Sequence, residues 1–316
     1  MSVGDQSKGL SKDDEITLLI QGPLHAIRTL QNARLNVDNF SRIVISTWEP
    51  QDGDSISIFS DLLKLSHSIE EGRITVVTAP LPALNKTAYN PANLLLQLQS
   101  TLTGLNVAKS NHVVKCRSDE VYNLKQFKAT YFIEPRKPLF ANFIVRETSY
   151  ARFHMSDHLF AAELTDLKSA LSTLKEALEG GCRSDKLARF IATHPPPEVL
   201  ITVFILIQLG IETETVLNAE QAVAFQIIKN HLRLFDLTEL GPYVLSANHA
   251  GFKELTDLPK LAKSWNPRNT LGLRHFRTID EMGPETWIRR ALRNLNYRIA
   301  HQVGFLFNNS TGKTPR

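Results

Sequence analysis

The first half of the chain alternates short apolar runs with stretches in which apolar residues recur at helical spacing. Ile16 to Ile20, ended by the turn pair Gly22-Pro23, predicts a buried strand. A helix is expected near His25 to Leu35, followed by β-branched strands at Arg42 to Trp48 and Arg73 to Thr78, the latter closed by Pro80 and Pro82. Asn90-Pro91 then opens a long helix carrying Leu94, Leu95, Leu98, Leu102 and Leu105 on a helical stripe. That helix delivers the chain to a fourth strand, His112 to Cys116, and a fifth is expected at Leu139 to Val145. Strands alternating with helices in this way predict an α/β fold with a mainly parallel central sheet flanked by helices.

Beyond Ser156 the pattern turns helical. Asp157 to Leu178 reads as an amphipathic helix stopped by Gly180-Gly181, and Pro195-Pro196-Pro197 precedes an apolar helix from Glu198 to Leu209. No repeat or low-complexity tract interrupts the chain. Residues 1–14 are therefore expected to form a polar tail and residues 15–316 a single domain, with a ligand-binding half at 15–150 and a mainly helical half at 151–316.

Composition narrows the function. The chain has 316 residues, 42% of them hydrophobic, enough for a large core. Cys116 and Cys182 are the only cysteines and form no metal-ligand spacing, which favours a reducing compartment over a disulfide framework or structural zinc. Met1 to Asp14 lacks the apolar region of a signal peptide, and the longest apolar run, Val199 to Leu209, is too short to span a bilayer, so a cytoplasmic protein is expected. Positive charge gathers at the end of the chain: Lys263 to Arg316 holds ten Lys/Arg and three Asp/Glu. Such an excess points to an anionic partner: phosphate, nucleic acid or a membrane surface.

In open α/β sheets ligands bind beyond the carboxyl ends of the strands. Four polar clusters sit there: Gln21-Gly22-Pro23, Ser46-Thr47-Trp48, Thr78, and Arg117-Ser118-Asp119-Glu120. Gly22 would let the backbone approach a ligand and Gln21 could hydrogen-bond a base or ribose; the alternative is a plain turn. No GxGxxG or Walker sequence is present, which disfavours dinucleotide oxidoreductases and P-loop enzymes. Carboxylates after a central strand, as at Asp119 and Glu120, can hold Mg²⁺ or Mn²⁺ and through it a diphosphate. The competing reading of Arg117 to Glu120 is a surface ion-pair loop.

These segments, taken in order and spacing, resemble the WavE family of lipopolysaccharide-synthesis proteins. The resemblance is carried by Ile16 to Leu24, by Ser46-Thr47-Trp48-Glu49, by Asn93, Gln97, Ser100-Thr101 and Gly104-Leu105, and by Val114 to Asp119. Phe153 to Phe160 and Pro197 to Leu200 extend it. It implies a GT-A-like fold and a glycosyltransferase that moves a sugar from a nucleotide-sugar donor to a lipopolysaccharide or other surface glycan. Gln21, Gly22, Pro23, Ser46 and Thr47 would then line the donor site, and Asp119 would hold its diphosphate through a Mg or Mn ion. The sequence departs from the usual Asp-x-Asp pattern, so Lys115 or Arg117 could neutralise the phosphates instead.

His154 and His158 have the spacing of two zinc ligands on one helix face, but no glutamate base lies between them, and Asp157 reads better as a helix-start residue facing the acceptor. Glu198 is either a helix cap or a general base. An amphipathic helix at Thr286 to Val303 carries Arg289, Arg290 and Arg293 on one face, suited to solvent or to peripheral contact with anionic lipid beside a glycolipid acceptor. Besides another doubly wound enzyme such as a methyltransferase, which would need a Gly-rich first turn that Gln21-Gly22-Pro23 does not supply, two other functions compete. One is a nucleic-acid-binding protein using the basic end, against which no RNP-like interleaving of aromatic and basic residues occurs, so no nucleic-acid partner is expected. The other is a catalytically inactive transferase-like subunit.

Overall fold

The structure, a computed structural model, describes residues 15–24, 26–50, 53–68, 73–80, 94–142, 145–146, 152–182, 184–240 and 273–274. Five segments build most of the parallel half of the sheet and its cover: β1 (Ile16–Gln21), α1 (Ala26–Asn36), β2 (Arg42–Trp48), α2 (Gly53–Ser68) and β3 (Ile74–Ala79). They are followed by α3 (Leu94–Val107), β4 (His112–Arg117), α4 (Lys125–Tyr131), β5 (Leu139–Ala141), β6 (Val145–Arg146), β7 (Leu159–Glu163) and α5 (Leu164–Glu176). Then come α6 (Asp185–Ala192), α7 (Pro197–Gln208), α8 (Thr213–Asn218), α9 (Gln221–His231), β8 (Arg233–Phe235) and β9 (Leu273–Arg274).

The main sheet has seven strands in the order β3-β2-β1-β4-β7-β5-β8, and β6 pairs with β9 in a separate two-stranded ribbon. β1, β2, β3 and β4 run parallel, whereas β7 runs antiparallel to both β4 and β5. All six residues of β1 are buried, because helices cover both faces of the sheet. Leu19, Val44, Val113 and Phe160 pack on one side with residues of α3, α5 and α7. Leu18, Ile20, Ile45 and Val114 pack on the other with Ala33, Leu62, Phe127 and Tyr131. Complete burial of one such aliphatic side chain contributes about 1.5–3 kcal/mol, so these two layers hold the strand ends rigidly in place.

Two expectations are corrected. The stretch from Asp157 to Leu178 is not one helix: Leu159–Glu163 forms β7, and the helix starts only at Leu164. Leu159, Phe160, Ala161 and Ala162 are all buried, and their backbones are paired on both sides, to β4 and to β5. A short apolar run fits helix and strand equally by pattern, and two flanking strands with open edges decide it. The fifth strand also stops at Ala141; Val145 belongs to the ribbon with β9. The start of the long helix at Asn90-Pro91 lies outside the described residues, as do Asn93, the 1–14 tail and the basic helix at Thr286 to Val303.

Candidate active site at the carboxyl ends of the central strands

β1 leads to β2 on one side of it while β4 lies on the other, so the chain direction switches between β1 and β4. Such a switch point is where an open α/β sheet parts to receive a ligand. At its rim Gln21 stands in register with Ser46 of β2 and Arg117 of β4, bringing three of the candidate residues onto one row.

At this point the β1 and β4 loops are joined by the protein's own contacts. Ser118 donates its backbone N–H to the Gln21 carbonyl at 2.9 Å and its hydroxyl to the Pro23 carbonyl at 2.6 Å. Gly22 sits against them with φ +133°, and a Cβ there would lie 2.6 Å from Ser118 Oγ. The glycine thus serves a close approach between two loops of this chain. Gln21 donates to Ser100 Oγ at 2.6 Å, and Ser46 donates to the Ser100 carbonyl at 2.6 Å, so both polar side chains dock α3 onto the sheet edge. Thr47 differs: its hydroxyl is buried and has no hydrogen-bond partner among the described residues, a state that costs about 1–3 kcal/mol.

The loop after β4 is a polar network in which the Arg117–Asp119 ion pair of the competing reading is present, with Arg117 partly exposed and the carboxylates of Asp119 and Glu120 buried. Arg117 grips Asp119 bidentately, Nε to Oδ1 and Nη2 to Oδ2, both at 2.9 Å. Glu120, with a fully buried side chain, accepts from the Tyr122 hydroxyl on one oxygen and pairs with His158 Nδ1 on the other, each at 2.6 Å. His158 Nε2 in turn lies 3.7 Å from Asp157 Oδ1, and Gln97 of α3 donates to Asp157 Oδ2 at 2.5 Å. Lys115 is buried and donates to the Asp157 carbonyl at 2.5 Å. Asp157 therefore joins the Lys115 to Glu120 segment in space, although it precedes a strand and not a helix.

Electrostatics follow from this packing. Burial pulls the Lys115 ammonium below its usual range, opposed by Asp157. Burial also pushes the Asp157 carboxyl upward, but His158, Lys115, the Gln97 hydrogen bond and Arg117 outweigh it and hold the group at about 2. For His158, burial favours the neutral ring, yet Glu120, by charge and by hydrogen bond, and Asp157 raise its pKa above the ordinary value. The Cys116 thiol is pushed up to about 12 by burial, so it is no nucleophile.

Glu198 occupies the first turn of α7, whose N-cap residue is Pro196. Its carboxylate lies 3.8 Å from His154 Nε2, which ties α7 to the segment ending at Asp157. A carboxylate in the first turn suits the helix start, and the same group also contacts a buried imidazole. His154 and His158 do not share a helix face, since both precede β7.

A divalent ion does not fit the residues as they stand. Both Asp119 oxygens accept from Arg117, and the Glu120 oxygens pair with Tyr122 and His158, so a cation on either carboxylate would lie against a guanidinium or an imidazole already paired with it. Among the described residues no three His, Cys, Asp or Glu groups converge as a metal site.

Four contributors escaped the sequence reading: Arg28, Asn32, Asn36 and Tyr122. Arg28 donates to the Asp119 carbonyl at 2.9 Å; Asn32 donates to the Glu120 carbonyl at 3.0 Å and Asn36 to the Tyr122 carbonyl at 2.7 Å. The two asparagines, one helical turn apart on α1 and fully buried, are the detectable signal, because a buried amide must find partners.

The chain has a mixed α/β fold with a seven-stranded, mostly parallel sheet and a polar cluster at its β1/β4 switch point. Residues 16–167 match the model of the WavE family, described as WavE lipopolysaccharide synthesis, so this segment, which contains every rim residue named above, carries the WavE pattern. No curated protein matches the chain by sequence. Among solved structures, an active-site mutant of LgtC aligns at 10% identity over 60% of this chain and 70% of that one, with a TM-score of 0.39. TarS 1–349 of S. aureus aligns at 12% identity over 68% and 69%, TM-score 0.36. HddC of Yersinia pseudotuberculosis aligns at 8% identity over 49% and 79%, TM-score 0.31. Overlap at these scores is partial, and the strand order carries the fold assignment. No helix among the described residues is long and apolar enough to cross a membrane.

Proposed function

We propose that the chain is a glycosyltransferase that moves a sugar from a nucleotide-sugar donor to a lipopolysaccharide or related surface glycan. The observation that carries this reading is the meeting of Arg117, Asp119 and Asp157 at the β1/β4 switch point within the WavE-matching segment. Residues 15–150 form the donor half and 151–316 the acceptor half of one domain. Thr47, whose buried hydroxyl has no hydrogen-bond partner among the described residues, stands at the β2 end of this proposed donor side.

Sugar transfer needs stabilisation of a departing phosphate and an acceptor hydroxyl aimed at the anomeric carbon. Arg117 meets the phosphate charge. Asp157, ionised at about 2, is a weak base at neutral pH but a permanent acceptor, suited to orienting a sugar hydroxyl. Glu198, held near this segment by His154, is the residue we assign to proton removal. The basic face at Arg289, Arg290 and Arg293, outside the described residues, suits peripheral contact with the inner face of a membrane, where a glycolipid acceptor would be presented.

A thermal-shift panel of nucleoside diphosphates and nucleotide sugars tests the reading, because a ligand that binds only the folded state raises its apparent stability. At least one nucleotide sugar should raise the midpoint, and more than its free sugar does. No shift from any nucleotide at millimolar concentration overturns the donor assignment.

A further inference from the structure

We propose that the anionic part of the donor is bound directly by Arg117, braced by Asp119, without a divalent cation between protein and phosphate. The inference rests on the transferase reading for the identity of the anion, but the binding chemistry stands on the geometry of the loop after β4.

The order of exposure is the first observation. Side-chain exposure is 31% for Arg117 but 9% for Asp119 and none for Glu120. A metal-binding edge needs its carboxylates forward and its cations behind. Here the guanidinium faces outward and the carboxylates form its back wall.

The second observation is how the hydrogen-bonding groups are used. A guanidinium has five N–H donors. Asp119 takes one on Nε and one on Nη2, which fixes the plane of the group and leaves the two on Nη1 and the second on Nη2 for a ligand. That arrangement presents a fork of donors matched to phosphate oxygens, and its rigidity spares the ordering cost of a free arginine. A metal on Asp119 would have to use the remaining lone pairs beside the Arg117 guanidinium, placing two cations side by side.

Two neighbours complete the site. Lys115 is not the receptor, since it is buried behind this row and spends a proton on the Asp157 carbonyl. Arg28 of α1 holds the Asp119 carbonyl and brings a second guanidinium to the same loop. Asp119 is thus a positioning residue whose carboxylate faces away from the ligand, and its charge partly opposes the anion it helps to bind.

That sign separates the two chemistries. Inorganic pyrophosphate is the probe, titrated calorimetrically into the full chain in EDTA and again with excess Mg²⁺. Binding should occur in EDTA. Arg117→Gln should weaken it by at least tenfold, and Arg117→Lys, which keeps the charge but loses the fork, by a smaller factor. Asp119→Asn, which removes the opposing charge but also one arm of the brace, should weaken binding less than Arg117→Gln does, and equally in EDTA and in Mg²⁺. A metal-ligand role for Asp119 requires the reverse: binding only with Mg²⁺, and its loss in Asp119→Asn. That pattern, unchanged affinity in both Arg117 variants, or no pyrophosphate binding under either condition overturns the proposal. Circular dichroism establishes folding of each variant; if Arg117→Gln does not fold, Arg117→Lys supplies the comparison. Nucleotide sugars run alongside separate the two claims. A chain that binds them only with metal retains the transferase reading and loses this inference; one that binds pyrophosphate in EDTA but no nucleotide sugar does the opposite.

Discussion

Replacing Gly22 by alanine tests whether the junction of the β1 and β4 loops is as tightly made as their contacts indicate. At φ +133° an alanine is strained by about 1–3 kcal/mol, whatever space surrounds it. Its Cβ also falls 2.6 Å from Ser118 Oγ, so the serine must rotate away and give up its 2.6 Å bond to the Pro23 carbonyl, a further loss of about 1 kcal/mol. The total is about 2–4 kcal/mol, read as a lower urea midpoint with an unchanged slope. A double-mutant cycle with Ser118→Ala separates the two parts. Alone, Ser118→Ala should cost about 1 kcal/mol through the lost hydrogen bond; on the Gly22→Ala background it should cost close to nothing, because that bond is already gone and the clash with it. Strictly additive losses, or a Gly22→Ala protein as stable as the parent, refute the argument that these loops are tightly joined at the switch point.

Gly104 in α3 is a second close approach: a Cβ there meets Leu19 Cδ1 at 2.3 Å and Ser46 Cβ at 2.9 Å. Overpacking of about 1–3 kcal/mol should outweigh the helix-propensity gain of about 1 kcal/mol, so Gly104→Ala should lower stability in the same urea assay, and a gain contradicts this. For pH, the raised His158 pKa means that its contribution is complete below the unfolded value of about 6.5 and fades as pH rises through the folded value, with Glu120, Asp157 and Arg117 the charges acting on it. The stability gap between wild type and His158→Gln should therefore narrow from pH 6 to 9; a constant gap counts against the pairing. Asp157, lowered to about 2, contributes above about 3.8 and loses that contribution only as pH falls through about 2, so it should be silent over the same interval. Glu198→Gln should leave donor binding in place while lowering turnover by about 10² or more; turnover near wild type reduces Glu198 to a structural partner of His154.

The first four strands were legible because helices cover both faces of the sheet, which favours short apolar runs such as Leu18 to Ile20 and Ile43 to Ile45. β7 was not, since Leu-Phe-Ala-Ala suits a helix equally and only the open edges of β4 and β5 decide otherwise. At the site, proximity to a strand end located Arg117 to Glu120, but sequence alone could not say whether the cluster was buried. That depends on Asn32 and Asn36 reaching across from α1, 88 and 86 residues away from the carbonyls they hold. The same limit hid the pairing of Lys115 with Asp157 and of Glu120 with His158, separated by 42 and 38 residues. Gln21 and Ser46 stand at the strand ends but fasten α3, while the Thr47 hydroxyl has no partner among the described residues.

Sugar transfer itself is tested by incubating the full chain with a panel of nucleotide sugars and a truncated lipopolysaccharide, and following the glycolipid by mass spectrometry. The reading developed from the β1/β4 edge predicts that one donor adds a single glycosyl mass to the acceptor with release of its nucleotide, and that Arg117→Gln, folded but weak in phosphate binding, loses most of that product. Undiminished transfer by Arg117→Gln, or no mass gain with any donor although the chain binds nucleotides, contradicts it.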